Sequence, residues 1–453
     1  IIFILLSALI NISISAKDKS KMSAIELVND MGLGWNLGNT FDCFGDWIRI
    51  LKPDDQITLW GNSVPDEKMV TTIQKYGFKT VRFPVTWMYF MDGSGNIRKD
   101  WMKRVKEVVD WIYDYDMYVI LNIHHDGVSG NWLGKGKSER MRLSNLWRNI
   151  ANQFKDYDRR LVFESMNEVD YKKSDGAYDY DTLNLLTQSF VDSVRATGGN
   201  NANRLLLISG ANTDLTKTCS DKYILPKDLA KMIAVSIHYY LPPQFTVESD
   251  ENPWTWTDEE GNEHIIEPMK KWGSKADYND MLNNFETMKK TFTSKGIPVI
   301  LGEIGVLTEE EKDEDSIREF LTAEYAFSAE YNGIMSCLWD TSKNTAGNMN
   351  FYNREQDRWY DEKLENNLYS ISLGKYPHPT EYCLMAKSES VTEVDKDGNM
   401  QISLKSSKIK KIIFNASISG TTWACGFGVG SENEDGKWFG ESFGGADGEY
   451  NKE

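Results

Sequence analysis

The chain predicts an α/β fold, a (β/α)8 barrel of the TIM type, with a short β-rich segment after it. Three observations carry this reading. Between about residues 32 and 375, short apolar runs alternate with longer amphipathic stretches, the order that builds parallel sheets with helical crossovers. Eight such runs are present, near 32–35, 78–83, 117–123, 161–164, 204–208, 233–238, 298–302 and 334–339. Polar and aromatic residues close many of these runs, and barrel enzymes keep their working side chains at the C-terminal ends of many strands. An open doubly wound sheet shares the alternation but gathers its site at one switch point, so the spread of polar strand ends favours the barrel.

Between the runs, apolar residues return at three and four positions in 101–115, 140–154, 182–196 and 313–330, the spacing of helices with one buried face. The acidic run TEEEKDED at 308–315 reads as a solvated helix start, its charge suited to the helix N-terminus. The connection from Leu241 to about Asp277 is rich in Pro, Trp and acidic residues and longer than ordinary loops of this kind. After about Ala386 the pattern changes to alternating residues with Gly and Asp turns, as in QISLKSS, IKKIIFNASIS and TTWACGFGVG. Residues 386–453 are therefore expected to be an incomplete β-rich domain, cut short with no further strands, and carbohydrate binding is one reading of it. Residues 17–385 form the expected catalytic domain.

A chain of 453 residues with 40% hydrophobic residues can bury one large core plus an appendage. The formal charge of −17 argues against nucleic acid, because its binders bring Lys and Arg to phosphates. A neutral polymer is the easier partner, and fifteen Trp supply flat faces for sugar rings as well as for packing. Residues 1–16 run apolar through IIFILLSALI into small residues, as a partial signal peptide does. No other stretch is long and apolar enough to span a bilayer, so the mature protein is expected to be secreted, extracellular, free of the membrane and monomeric. The five cysteines lack CxxC spacing; one disulfide could form and none is required.

The sharpest local signal is LVFESMNEVD at 161–170, where an apolar strand runs into Asn167 and Glu168. A general acid must keep its proton near neutral pH, and a partly apolar cleft and a nearby carboxylate both raise a pKa. That second carboxylate lies in IPVILGEIGV at 297–306, where Glu303 ends a buried strand between nearby glycines that give a ligand room to approach. Alone, each glutamate also reads as a turn residue. At the ends of the fourth and seventh strands they converge on one pocket, and two carboxylates across a bond are the minimum apparatus for glycoside hydrolysis.

Other strand ends fill out the pocket. Arg82 is a charge within the apolar TVRFPVTW and needs a carboxylate partner, either the nucleophile or a structural one. His124 and His125 are adjacent, so within a strand they point to opposite sides and only one faces the ligand. His238 and Tyr240 share a side by period two, available to tune a carboxylate. Trp339 offers a stacking floor or core packing, and GWNLGNTFD supplies Trp35, Asn36 and Asn39 for stacking and hydroxyl contacts. A metal-dependent hydrolase is a rival, since His124, His125, Asp126, His238 and Glu303 are ligand types, but HHD lacks the alternate spacing that puts two His on one metal. No metal or cofactor is expected. A non-catalytic carbohydrate-binding barrel is the other rival, and it has no need of both glutamates.

In chain order, GWNLGNTFD, VRFPVTW, LNIHHD, FESMNE, SIHYY, LGEIG and CLWD resemble glycoside hydrolase family five, in its cellulase-type endo-β-1,4-glucanase branch, over about residues 25–385. The resemblance implies Glu168 as acid/base and Glu303 as nucleophile of a retaining double displacement. It makes Asn167 the contact to the sugar 2-hydroxyl and Arg82, His124, His238 and Tyr240 the supporting residues. Trp339 would be the aromatic platform, with His125, Trp35, Asn36 and Asn39 near the substrate. Ser165 stands where glycine is more often expected, and the Asn–Glu pair is intact. Retention implies carboxyl groups about 5 Å apart, with Glu303 ionised beside Arg82 and Tyr240 and Glu168 protonated. The expected substrate is a β-glucan polysaccharide, a β-1,4-linked glucan of the cellulosic kind first and xyloglucan next, with mixed-linkage glucan and a mannan as the alternatives.

Overall fold

The computed structural model describes residues 21–45, 50–126, 136–249, 253–257, 263–308, 311–342 and 348–375, and the backbone of four strands between 414 and 452. The expected signal at 1–16 and the QISLKSS run lie outside these residues. The chain divides into two compact units, Ile1–His378 and Pro379–Glu453.

The first unit is a closed barrel of eight parallel strands. They are β1 (Gly34–Asn36), β2 (Thr80–Phe83), β3 (Tyr118–Asn122), β4 (Leu161–Glu164), β5 (Leu206–Ser209), β6 (Ile233–Tyr239), β7 (Val299–Ile304) and β8 (Ile334–Leu338). β1 closes the ring by pairing with both β2 and β8. All eight predicted strands are present, with ends shifted by at most two residues. Each is buried along nearly its whole length, which is why they read as apolar runs rather than alternations.

Helices Lys99–Asp114, Lys137–Gln153, Tyr180–Arg195 and Glu314–Glu330 lie where the 3.6-residue periodicity placed them. Short polar side chains fix their starts: Asp179 accepts from the Thr182 amide and Asp313 from that of Ser316. Among the described residues of the acidic 308–315 run only Glu314 and Asp315 are helical, because Asp313 is the cap. Lys312 before it is buried, with Nζ donating to the Phe245 carbonyl at 2.6 Å. The long 241–277 connection contains an antiparallel hairpin, Trp254–Thr257 with Glu263–Ile266. No helix among the described residues is long and apolar enough to cross a membrane.

The helix Ala24–Met31 begins with a capping box between Ser23 and Glu26. Its Leu27, Val28 and Met31 join Ile120, Val162, Leu207, Ala234, Ile300 and Met335 in one buried cluster, together with Leu205 and Met232 just before β5 and β6. The N-terminal end of the barrel is thereby filled with hydrocarbon, leaving polar chemistry to the other end.

In the second unit, Cys425–Glu432 pairs antiparallel with Trp438–Gly445, and Phe414–Ile418 with Gly448–Lys452. The expectation that strands stop within the Gly/Glu-rich stretch is therefore corrected. Backbone pairing needs no particular side chain, so glycines hide strands from a pattern-based reading.

Behind the barrel, Glu324 of Glu314–Glu330 is fully buried, its Oε1 accepting from Ser336 Oγ at 2.6 Å and Ser328 Oγ at 3.2 Å. Burial pushes its carboxyl up to about 8. Its folded value thus exceeds the unfolded one, near 4.3. The neutral carboxyl contributes stability in full below about pH 4, and this contribution is lost as pH rises through 8. Glu324→Gln, which stays neutral, should therefore flatten the alkaline side of the curve. The Tm difference, variant minus parent, should grow by about 3 °C or more between pH 5 and pH 8; a constant difference would show that Glu324 does not titrate this way.

Candidate active site

The site begins below the C-terminal mouth with Arg82, fully buried at the centre of β2. Its Nε donates to Glu164 Oε2 at 2.7 Å, Nη1 to Glu303 Oε1 at 2.8 Å and Asn36 Oδ1 at 3.0 Å, and Nη2 to Asn167 Oδ1 at 2.8 Å. One guanidinium thus bridges two carboxylates and two amides from β1, β4, β7 and the residues after β4. Sequence reasoning weighed the nucleophile and a structural carboxylate as alternative partners of Arg82; Glu164 and Glu303 both pair with it. Glu164 was missed, although a charge at the end of LVFE is the same signal that drew attention to Arg82.

Glu303 is held at both oxygens, since the Tyr240 hydroxyl donates to its Oε2 at 3.0 Å. The β6–β7 register shifts between Ile237 and His238, skipping Gly302, so that His238 lies opposite Glu303. Such an irregularity re-aims a side chain. Gly302 itself has no space for a side chain: a Cβ there would lie 3.1 Å from His238 Nε2 and Ser236 Oγ and 3.3 Å from Arg82 Nε. At Gly305 a Cβ would collide with Met349 Sδ. The glycines near Glu303 therefore make room for the protein's own side chains, which corrects the expectation that they make room for a ligand.

Glu168 stands four residues beyond the end of β4 with 45% of its side chain exposed. Its Oε1 lies 2.7 Å from His238 Nδ1, and that nitrogen is 3.4 Å from Glu303 Oε2. An oxygen of Glu168 and one of Glu303 come within 4.8 Å of each other. The buried His238 Nε2 has no hydrogen-bond partner among the described residues.

His124 Nδ1 faces the Asn122 side-chain amide at 3.1 Å, and its Nε2 lies 4.0 Å from Glu303 Oε1. Burial, with His125 and Arg82 nearby, pushes His124 well below the usual imidazole value, so it is a neutral donor. Trp339 is half-exposed and stacks parallel on His124 with ring centroids 5.5 Å apart. β3 ends at Asn122, so His124 and His125 are outside the strand. Their rings touch edge to face at 4.4 Å instead of pointing to opposite sides. His125 packs against Phe44 and Trp60, and burial pulls it down to about 4.

Two residues expected at the substrate are placed differently. Trp35 is fully buried, its indole N–H donating to Asp340 Oδ2 at 3.0 Å under Arg354. Asn36 is also fully buried, its amide shared among the carbonyls of Gly302, Cys337 and Leu338. Both lie within β1, too deep to meet a ligand. Asn39 is half-buried in a left-handed turn (φ 55°), with its amide on Asp42 and its carbonyl on Asn62.

The electrostatics differ from the simple expectation of an ionised Glu303 and a protonated Glu168. Burial pushes Glu303 above the usual carboxylate value, outweighing His238 and Arg82. Burial also pushes on Glu168, but the His238 hydrogen bond and charge, then His125 and Arg82, bring it below that value. The reason is His238, whose Nδ1 sits 2.7 Å from Glu168 but 3.4 Å from Glu303. Burial and Glu303 push Tyr240 well up, so it remains a hydroxyl donor.

Two groups of possible ligand atoms converge within 4.8 Å, Glu168–His238–Glu303 and Asp42–His124–His125. Within them His238 Nδ1 is on Glu168, and Asp42 accepts from the Asn39 and Thr40 amides. What the arrangement is built for is a reaction flanked by two carboxylates, one clamped and one exposed, which is the equipment of barrel glycoside hydrolases.

Comparison with known proteins agrees. The family model described as "Cellulase (glycosyl hydrolase family 5)" matches residues 41–345. Endoglucanase A of Clostridium longisporum is 33% identical over 376 residues, 80% of this chain and 68% of its own length. A solved GH5-4 broad specificity endoglucanase from an uncultured bovine rumen ciliate is 67% identical, with TM-score 0.76, covering 79% of this chain and 100% of that one. A GH5 family lichenase from Caldicellulosiruptor sp. F32 is 29% identical, with TM-score 0.69, covering 78% and 96%. The chain belongs to glycosyl hydrolase family 5, as an enzyme of its endoglucanase type.

Proposed function

We propose that this chain is a secreted, retaining endo-β-1,4-glucanase of broad specificity, acting on cellulosic and mixed-linkage β-glucans, with Glu303 as nucleophile and Glu168 as acid/base. One observation carries the reading. Glu303 is gripped at both oxygens by Arg82 and Tyr240, while Glu168 is exposed at the mouth with an oxygen less than 4.8 Å away. Retaining enzymes hold the two carboxyls about 5–5.5 Å apart, whereas inverting ones need about 6.5–9.5 Å to admit water. The relatives named as broad specificity endoglucanase and as lichenase support the substrate class.

In the first half-reaction Glu303 attacks the anomeric carbon, the glycosidic bond breaks, and Glu168 gives its proton to the departing oxygen. Water then enters, Glu168 takes its proton, and the ester to Glu303 is cleaved. Glu168 takes up this proton from solvent as substrate binds. A glucan in the cleft strips water from the exposed face of Glu168, and desolvation next to the Glu303 charge raises its pKa. Trp339 over neutral His124 is a platform for a sugar face, and Asn167, its oxygen taken by Arg82, turns its amide donors toward the 2-hydroxyl.

The test is a polysaccharide panel with product analysis on the parent and on Glu168→Gln. The parent should shorten mixed-linkage glucan at internal bonds and release products of retained anomeric configuration. Glu168→Gln should lose about 10²–10⁴-fold on polysaccharide, but far less on an aryl glycoside whose leaving group needs no proton. Release of terminal sugars only, or inverted products, would overturn the reading.

A further inference from the structure

We propose that Glu164 is a positioning residue of the reaction: by gripping Nε of Arg82 from below, it aims the guanidinium at Glu303 and Asn167 and limits how much of its positive charge Glu303 receives. This rests on the assignment of Glu303 as nucleophile.

The hydrogen-bond inventory defines the group. Glu164 is fully buried at the end of β4. Its Oε2 accepts from Arg82 Nε at 2.7 Å and from the Asn122 side-chain amide at 3.2 Å, and its Oε1 accepts from Ser236 Oγ at 2.7 Å. All three partners donate, from β2, β3 and β6, which is the environment of a carboxylate anion. A buried carboxylate tied to three strands is costly to build, and sealing the barrel would require only hydrocarbon.

Its position explains the expense. Nε bonded to Glu164 fixes the plane and rotation of the guanidinium, which leaves Nη1 on Glu303 and Nη2 on Asn167. The charge count matters equally. With Glu303 in the ionised form that attacks, Arg82, Glu164 and Glu303 together carry one net negative charge; without Glu164 they carry none.

The other groups facing this cluster are neutral or lie at its mouth. His124, after β3, is held neutral by burial, Tyr240, after β6, keeps its proton, and burial pushes the Cys337 thiol of β8 up. His238 of β6 bridges Glu303 and Glu168. Glu164 is therefore the anion beneath the site that opposes Arg82. Removing its charge should stabilise the ionised forms of both Glu303 and Glu168.

The experiment is the pH profile of kcat/KM for Glu164→Gln, which keeps the shape and can still accept from Arg82 and Asn122 while its amide turns the Ser236 bond round and donates to Oγ, beside Ser236→Ala, which keeps the charge and removes one bond to it. Glu164→Gln should slide both limbs of the bell toward acid by about 0.5–1 pH unit. On the alkaline side activity should then fall about 3–10-fold while rising on the acid side, and Ser236→Ala should leave the limbs in place. Unmoved limbs in Glu164→Gln, or equal movement in both variants, would overturn the proposal. If the nucleophile assignment itself is wrong, Glu303→Gln retains activity, an outcome separate from either.

Discussion

Glu303→Gln is expected to lower kcat/KM on soluble mixed-linkage β-glucan by about 10⁴-fold or more, with a folded protein of nearly unchanged Tm. The amide keeps the size of the side chain and can still accept from Arg82 or Tyr240. It cannot form the glycosyl ester, so the step that divides the reaction in two is lost. The structure argues that stability survives, because Arg82 retains Glu164 at 2.7 Å as an ionic partner. Azide separates the two glutamates further. With Glu303→Ala it should give a glycosyl azide of inverted configuration, and with Glu168→Ala one of retained configuration. Near-parental turnover by Glu303→Gln would exclude the proposed nucleophile.

Arg82→Leu is expected to damage fold and function together. Removing one partner of a buried ionic network costs about 3–5 kcal/mol, and here two carboxylates, Glu164 and Glu303, lose their cation at 2.7 and 2.8 Å. A Tm loss of about 6 °C or more follows, with activity lost beyond what unfolding accounts for. The sign with pH is specific. The lost ion pair to Glu303 stabilises its carboxylate form, so the deficit should be largest at neutral pH and shrink as pH falls and Glu303 protonates. Arg82→Lys should not restore activity, because one ammonium cannot replace a planar fork that reaches four acceptors in fixed directions. A pH-independent deficit, or full activity with Lys, would contradict the bridging role.

The barrel was legible in the sequence because each strand is buried on both faces, and a run such as PVIL before Glu303 can satisfy that only in a parallel sheet covered by helices. The helices were legible because one apolar stripe faces the strands, as in WMKRVKEVVDWIYDY. In the second unit the glycine-rich strands 438–445 and 448–452 were not, since their pairing is carried by the backbone. Trp35 and Asn36 illustrate another limit. Polar or aromatic character at a strand marks a residue as unusual, but depth within the barrel decides whether it meets a ligand or a neighbouring carbonyl.

By itself the sequence determined the fold class, the positions of all eight strands and which side chains are candidates for chemistry, because burial and residue type are written locally. Only the tertiary structure decided how those candidates divide the work. Glu164 became visible as the second partner of Arg82 when β2 and β4 were brought within 2.7 Å, and the skipped Gly302 set Glu303 opposite His238. His238 Nδ1 in turn came nearer to Glu168 than to Glu303. Each of these is a relation between distant segments, and hydrogen bonds and Coulomb forces act over ångströms in space, whatever the separation along the chain.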